Sequence, residues 1–170
     1  MRLLSAFVNA IDRFSKRQAA VVCWLIFALI FTLTYEITAR YFFGSPTVWA
    51  YDATYILYGS LFMLGAAYTL LVDQHVRIEF IHAAMPPRMR EVVEIIGYLI
   101  FFFPAIGVLL YVGIDFALES WTLGEHAKQS IWAPPIYPFK TVLPVAAFLL
   151  LLQGIAKFIR RLISLFGREL

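Results

Sequence analysis

Residues 19–41 read AAVVCWLIFALIFTLTYEITARY, and the fold turns on how this stretch is read. It is apolar through Leu33 and acquires charge only at Glu36 and Arg40. As a helix it rises about 35 Å at about 1.5 Å per residue, enough to cross a hydrocarbon core of about 30 Å. The rest of the chain has the same character. Of 170 residues, 62% are hydrophobic and 15% charged, whereas a soluble domain has about 45–50% and about 25%. Too few charges exist to cover a soluble surface, so the soluble enzyme classes are excluded. Four spans of about 20 residues fill half the chain and leave short loops, which predicts one membrane domain over residues 1–170. The single cysteine, Cys23, lies in the first apolar run, reads as packing, and rules out an internal disulfide or a cysteine-cluster metal site.

Before the quoted run, residues 2–17 place Leu3, Leu4, Phe7, Val8, Ile11 and Phe14 at helical spacing, with Arg2, Asn9, Asp12, Arg13, Lys16 and Arg17 elsewhere. This is the pattern of an amphipathic interfacial helix with its apolar stripe in lipid. A cleaved leader is not expected, because the apolar run is too long and no small-residue cleavage pattern follows it closely. After the run, Gly44, Ser45 and Pro46 form a turn, and further spans are expected over about 48–72, 88–116 and 138–158. Pro86 and Pro87 suit the start of the third, which should kink near Pro104. A long loop is expected over about 115–137 and a basic tail over 159–170. The expected architecture is all-α: an integral membrane protein with four transmembrane helices and an N-terminal interfacial helix.

Lysines and arginines orient it. Eleven fall on one side, at Arg2, Arg13, Lys16, Arg17, Arg77, Arg88, Arg90, Lys157, Arg160, Arg161 and Arg168. The other side has Arg40, Lys128 and Lys140. The positive-inside rule then places both termini and the 73–90 loop in the cytoplasm. Because the basic residues flank apolar runs, the net charge of +3 points to membrane lipids as a partner and not to nucleic acid. Trp121, Trp132 and Tyr137 mark an interfacial belt in the second outer loop.

Ionisable groups near a bilayer are expensive to bury and are therefore the first functional candidates. Glu36 and Arg40 are four apart, and the 44–46 turn could bring Asp52 to the same arginine. Such a trio is either a proton or cation site or an ion pair that pins the helical hairpin. In the 73–82 loop, Asp73 with Arg77 and His75 with Glu79 form i,i+4 pairs. His75, His82 and His126 all lie in loops, so no span offers a haem or metal ligand. The outer loop carries Glu119, Glu125, His126, Lys128 and Lys140 among Trp121, Trp132 and the Pro134-Pro135 pair, a mixture suited either to docking or to a solvated re-entry. No phosphate-binding glycine loop or paired nucleophile and base appears. No catalytic, cofactor-binding or metal site is expected, and the chain does not read as an enzyme.

Three stretches resemble the small membrane permease subunit, DctQ-type, of tripartite ATP-independent periplasmic (TRAP) transporters. RYFFGSPTVWAYD, residues 40–52, carries Arg40, Tyr41, Phe43, Pro46, Trp49 and Asp52; GAAYTLLVDQHVRIEF, residues 65–80, carries Gly65, Ala66, His75, Val76, Arg77 and Glu79. The segment 121–144 is looser, with Trp121, Gly124, Glu125, Ser130, Pro135, Pro138, Lys140 and Pro144. Tyr51 stands where many members have a second acid, and Glu79 where Asp is more usual. The resemblance implies a bacterial inner-membrane scaffold without cofactors, bound to a large multi-span subunit. A periplasmic binding protein would deliver carboxylates or related organic acids for sodium-driven import. On that reading Arg40, Trp49 and Asp52 fix the outer hairpin, His75, Arg77 and Glu79 organise the cytoplasmic loop, and Gly59, Gly65, Ala66 and Ala67 permit close helix packing. Glu36, Trp121, Glu125, Lys128 and Lys140 are further structural or partner-contact candidates. Two other classes remain: a homodimeric proton-coupled exporter with Glu36 as its coupling residue, and a membrane anchor for a redox enzyme, against which the missing intramembrane histidine counts.

Overall fold

The computed structural model describes residues 2–73, 86–128 and 130–165. His75, Arg77, Glu79 and His82 fall outside the described residues, as does the end of the expected basic tail. Among the described residues six α-helices follow one another: α1 Arg2–Val22, α2 Trp24–Phe42, α3 Ala50–Leu71, α4 Pro87–Gly97, α5 Phe103–Leu123 and α6 Tyr137–Leu165. A π-helical turn, Tyr98–Phe102, joins α4 to α5. Among the described residues four helical stretches are long and apolar enough to cross a membrane: Leu4–Phe42, Ala50–Leu71, Met89–Leu123 and Tyr137–Leu165.

Helix ends follow local chemistry more closely than hydropathy. An amphipathic helix ending at residue 17 is not what forms; α1 runs to Val22, because Gln18-Ala19-Ala20 contains no breaker and alanine is the best helix former. Even at Cys23 the ladder is only tightened, with the Cys23 N–H on the Ala19 carbonyl at 2.9 Å and the Ile26 N–H on that of Cys23 at 3.1 Å. Gly44, at φ 61, then reverses the chain. In the third span Pro87 opens α4 after an extended Pro86. The prolyl ring of Pro104 has no N–H and would clash with the carbonyl four residues earlier. The preceding turn widens accordingly, with the Phe103 N–H reaching back five residues to Tyr98. This rod continues past the expected end at 116 to Leu123, where Gly124 caps it in the left-handed region at φ 56. Asp115 and Glu119 marked where polarity begins, not where the helix stops, so Trp121 is helical and the expected 115–137 loop shrinks to residues 124–136. The C-terminal segment likewise continues as helix to Leu165.

The last helix is the centre. α6 packs against α1, α3, α4 and α5, and buries 44% of its most apolar stretch where the other three spans bury at most 11%. Small side chains make this possible: Ala146, Ala147, Gly154 and Ala156 are buried on it. Phe139 of α6 lies against Gly59 so closely that a Cβ there would sit 2.7 Å from the ring, while nothing comes within 4 Å of a Cβ built at Gly65. Of the four small residues expected to ease helix approach, Gly59 and the 1% exposed Ala67 are in tight contact. Val8 and Ile11 of α1 pack against Ala156, Leu152 and Ile159 of α6. Those two side chains were expected in lipid; the structure places them against protein, because α6 offers a small-residue surface at the same level.

Candidate functional site

Polar side chains collect at the two ends of an apolar bundle. At the loop end, formed by the 43–49 turn and the 124–136 loop, Arg40 donates from Nε to Glu36 Oε1 at 2.8 Å and pairs through its second nitrogen with the same oxygen. The other oxygen, Oε2, accepts from the Thr47 backbone N–H at 3.0 Å and from the Thr47 hydroxyl. The carboxylate therefore staples the turn to α2. Asp52 does not join this group as expected: its Oδ2 accepts from the Ser130 hydroxyl, tying the start of α3 to the outer loop. The reason is local, since Arg40 is engaged one helical turn back by Glu36 and the free side of Glu36 is filled by Thr47. Trp49 lies beside Tyr35, ring centroids 5.7 Å apart, and braces the same hairpin.

The outer loop is folded, not slack. Ala127 N–H bonds to the Pro134 carbonyl at 2.9 Å and Ile136 N–H to that of Glu125 at 3.0 Å, closing it on itself. Glu125 accepts from Ser120 at 2.8 Å and from Lys140, whose ammonium sits 3.9 Å from the centroid of the Phe116 ring. The Lys140 hydrogen bond, then that of Ser120, with the positive charges of Lys140 and Lys128, hold the Glu125 carboxyl below its ordinary value against a smaller opposing effect of burial. Together with Glu119, Leu123, His126 and the exposed Lys128, these residues line an open cleft of about 460 Å³. Trp121 donates its indole N–H to Thr141 at 2.8 Å and packs tilted against Tyr137, ring centroids 4.4 Å apart, so it ties α5 to α6.

The opposite end holds a network that no sequence motif announced. Gln153, fully buried on α6, accepts from Ser15 of α1 at 2.8 Å and donates to Asp12 at 3.0 Å. The second oxygen of Asp12 pairs with Arg160. Lys157 pairs with Asp73, at the end of α3, and Arg161 with Glu94 of α4 at 2.7 Å. Gln153, Lys157 and Arg160 are i, i+4 and i+7, one stripe of α6, met by acids from other elements. Lys157 is about 30 Å along the helix from Tyr137, the thickness of the hydrocarbon core, so the ion pairs fall at a membrane boundary and not at its middle. The one signal in the sequence was Gln153 itself, a lone amide in an apolar run. Among the described residues no group of three or more His, Cys, Asp or Glu side chains could hold a metal ion.

The sequence that builds this bundle matches a known family of transporter components. The family model for tripartite ATP-independent periplasmic transporters, DctQ component, matches residues 29–164. The chain belongs to that family. As a DctQ-family chain it is a transporter component and a membrane protein, of a family that is not one of enzymes. It is also 26% identical over 136 residues to the sialic acid TRAP transporter permease protein SiaT of Haemophilus influenzae (strain 86-028NP), a match covering 77% of this chain. It spans only 20% of that relative's length. Glu36, Arg40, Trp49, Asp52, Trp121, Glu125, Lys128 and Lys140 of this DctQ-family chain all fall inside the matched region.

Proposed function

We propose that this chain is the small permease subunit of a TRAP transporter and serves as its fixed membrane support. The observation that carries the reading is the distribution of charge and burial. Where the structure describes the spans, their ion pairs are closed at the two ends, while α2, α3 and α5 present broad apolar faces. Trp24, Phe27, Phe31, Phe62, Phe101 and Tyr111 are each more than 60% exposed. Transporter sites need broken helices and polar groups near mid-membrane; a braced apolar bundle suits a support. In the Haemophilus relative the matching stretch is one fifth of a longer permease, so a much larger polypeptide accompanies it there. The corresponding companion here is a large multi-span subunit that carries the substrate and sodium sites. A periplasmic binding protein delivers a carboxylate or related organic acid to the pair. The chain sits in the bacterial inner membrane with both termini cytoplasmic.

Reconstitution into liposomes tests this. Sodium-driven uptake is expected only when this chain, the large subunit and the binding protein are all present, and uptake by this chain alone would refute it. The exporter reading is less well supported, because both oxygens of Glu36 are already engaged by Arg40 and Thr47. Glu36→Gln is expected to leave partner-dependent uptake largely intact.

A further inference from the structure

The buried network at the α1 end fixes how α1 is rotated about its own axis. Val8, Ile11, Ser15, Ala19 and Val22 are all buried, and Asp12 and Ser15 are bonded into α6. A helix held along one side over four turns leaves the rest of its circumference in a set direction. About a quarter-turn away runs a second apolar stripe: Phe7, Phe14 and Val21, spaced by seven and exposed at 49%, 51% and 71%. Arg17 and Arg13 are exposed next to it, and Lys16 is exposed further round the helix. Unlike Arg160, held by Asp12, these three have no acidic partner among the described residues.

We infer that this sector of α1 is a binding surface for anionic phospholipids, with Phe7, Phe14 and Val21 among the upper acyl carbons and Arg13, Lys16 and Arg17 on the headgroup phosphates. Three observations converge on a lipid occupant. The helix crosses α6 beside Gln153 and Arg160, about 24–35 Å along it from Tyr137, which is the boundary of the hydrocarbon. The stripe is followed round the exposed arc by Arg17 and Arg13, with Lys16 at the far edge, the composition that holds a helix at an anionic interface. At the same end Lys157, Arg160 and Arg161 are each paired with an acid, Asp73, Asp12 and Glu94, whereas Arg13, Lys16 and Arg17 are turned outward.

The test uses the whole chain with Cys23→Ser and a single reporter cysteine, Phe14→Cys or Asn9→Cys, in mixed phosphatidylcholine and phosphatidylglycerol vesicles. A fluorophore at position 14 is expected to be quenched by acyl-brominated lipid, and one at position 9, on the basic side, by an aqueous quencher. A position-14 label open to water overturns the inference; one shielded from both quenchers overturns it in favour of a protein occupant. Retention of each lipid, read by native mass spectrometry, provides the second readout. One basic residue at an anionic surface is worth about fivefold in association, so Arg13→Gln, Lys16→Gln and Arg17→Gln together are expected to lower the preference for phosphatidylglycerol over phosphatidylcholine by at least about tenfold. All three side chains are exposed, so the fold stays. An unchanged preference overturns the inference.

Discussion

Replacing Gly154 by alanine probes the packing of the bundle at its tightest point. A Cβ at Gly154 would lie 2.1 Å from Cε1 and 2.6 Å from Cζ of Phe102, so the ring would have to withdraw by more than 1 Å to reach an ordinary carbon contact of about 3.5 Å. It has little room. Phe102 is on the π turn, edge-on to Tyr98 at 5.2 Å and to Phe103 at 5.6 Å, and Phe103 is itself packed on Phe158 at 5.5 Å. Overpacking of this kind costs about 1–3 kcal/mol. A deep intrusion among fixed rings belongs at the upper end, and alanine's helix preference over glycine returns about 1 kcal/mol. The expected net loss is thus about 2 kcal/mol, or about thirtyfold in the unfolding equilibrium. Reversible denaturation in detergent micelles measures it, and Phe102→Leu supplies the partner for a double-mutant cycle. With the ring gone, Gly154→Ala should cost little, giving a coupling of at least about 1 kcal/mol. A Gly154→Ala protein as stable as the parent, or an equal loss in the Phe102→Leu background, would show that this contact does not set the helix spacing.

Three further outcomes are expected. Asp12→Ala leaves the Gln153 amide and Arg160 without their acceptor and is expected to destabilise the chain by about 1–3 kcal/mol, measured by the same denaturation; a neutral result would mean the network is replaced by water at no cost. Ser130→Ala removes the tie to Asp52, and amide exchange over 124–136 should quicken about fivefold, as expected for the loss of about 1 kcal/mol from a local hydrogen bond. The Glu125 carboxyl is held below its ordinary value, so its contribution is complete above the unfolded value of about 4.3 and is lost as pH falls through the lower folded value. Tryptophan fluorescence from the loop should show an acid transition in that range, absent in Glu125→Gln.

Much of this architecture was legible because lipid imposes simple rules: long apolar runs, a Gly-Ser-Pro turn, and Glu36 four residues before Arg40. Polarity proved a poor guide to helix ends. Gly124, not Asp115, closes α5, and the left-handed cap was the better signal. Pairings between distant elements were not legible. Asp52 could be assigned to Arg40 by proximity along the chain, yet its acceptor site is taken by Ser130, 78 residues away. Asp12 and Arg160 lie 148 residues apart, and only the stacking of α1 on α6 makes them neighbours. Basic residues at the end of α6 read as topogenic charge, and that reading gave no hint that Lys157, Arg160 and Arg161 would each be claimed by an acid from another element.

The helix at the centre of the bundle follows α1 to α5 in chain order. In a protein made from its N-terminus, the earlier spans enter the bilayer before the surface they lean on exists, and Asp12 and Ser15 wait without Gln153. Until α6 arrives the contacts among α1, α2 and α3 are what joins the earlier spans. Assembly of the bundle therefore waits on α6, the helix that α1, α3, α4 and α5 all pack against.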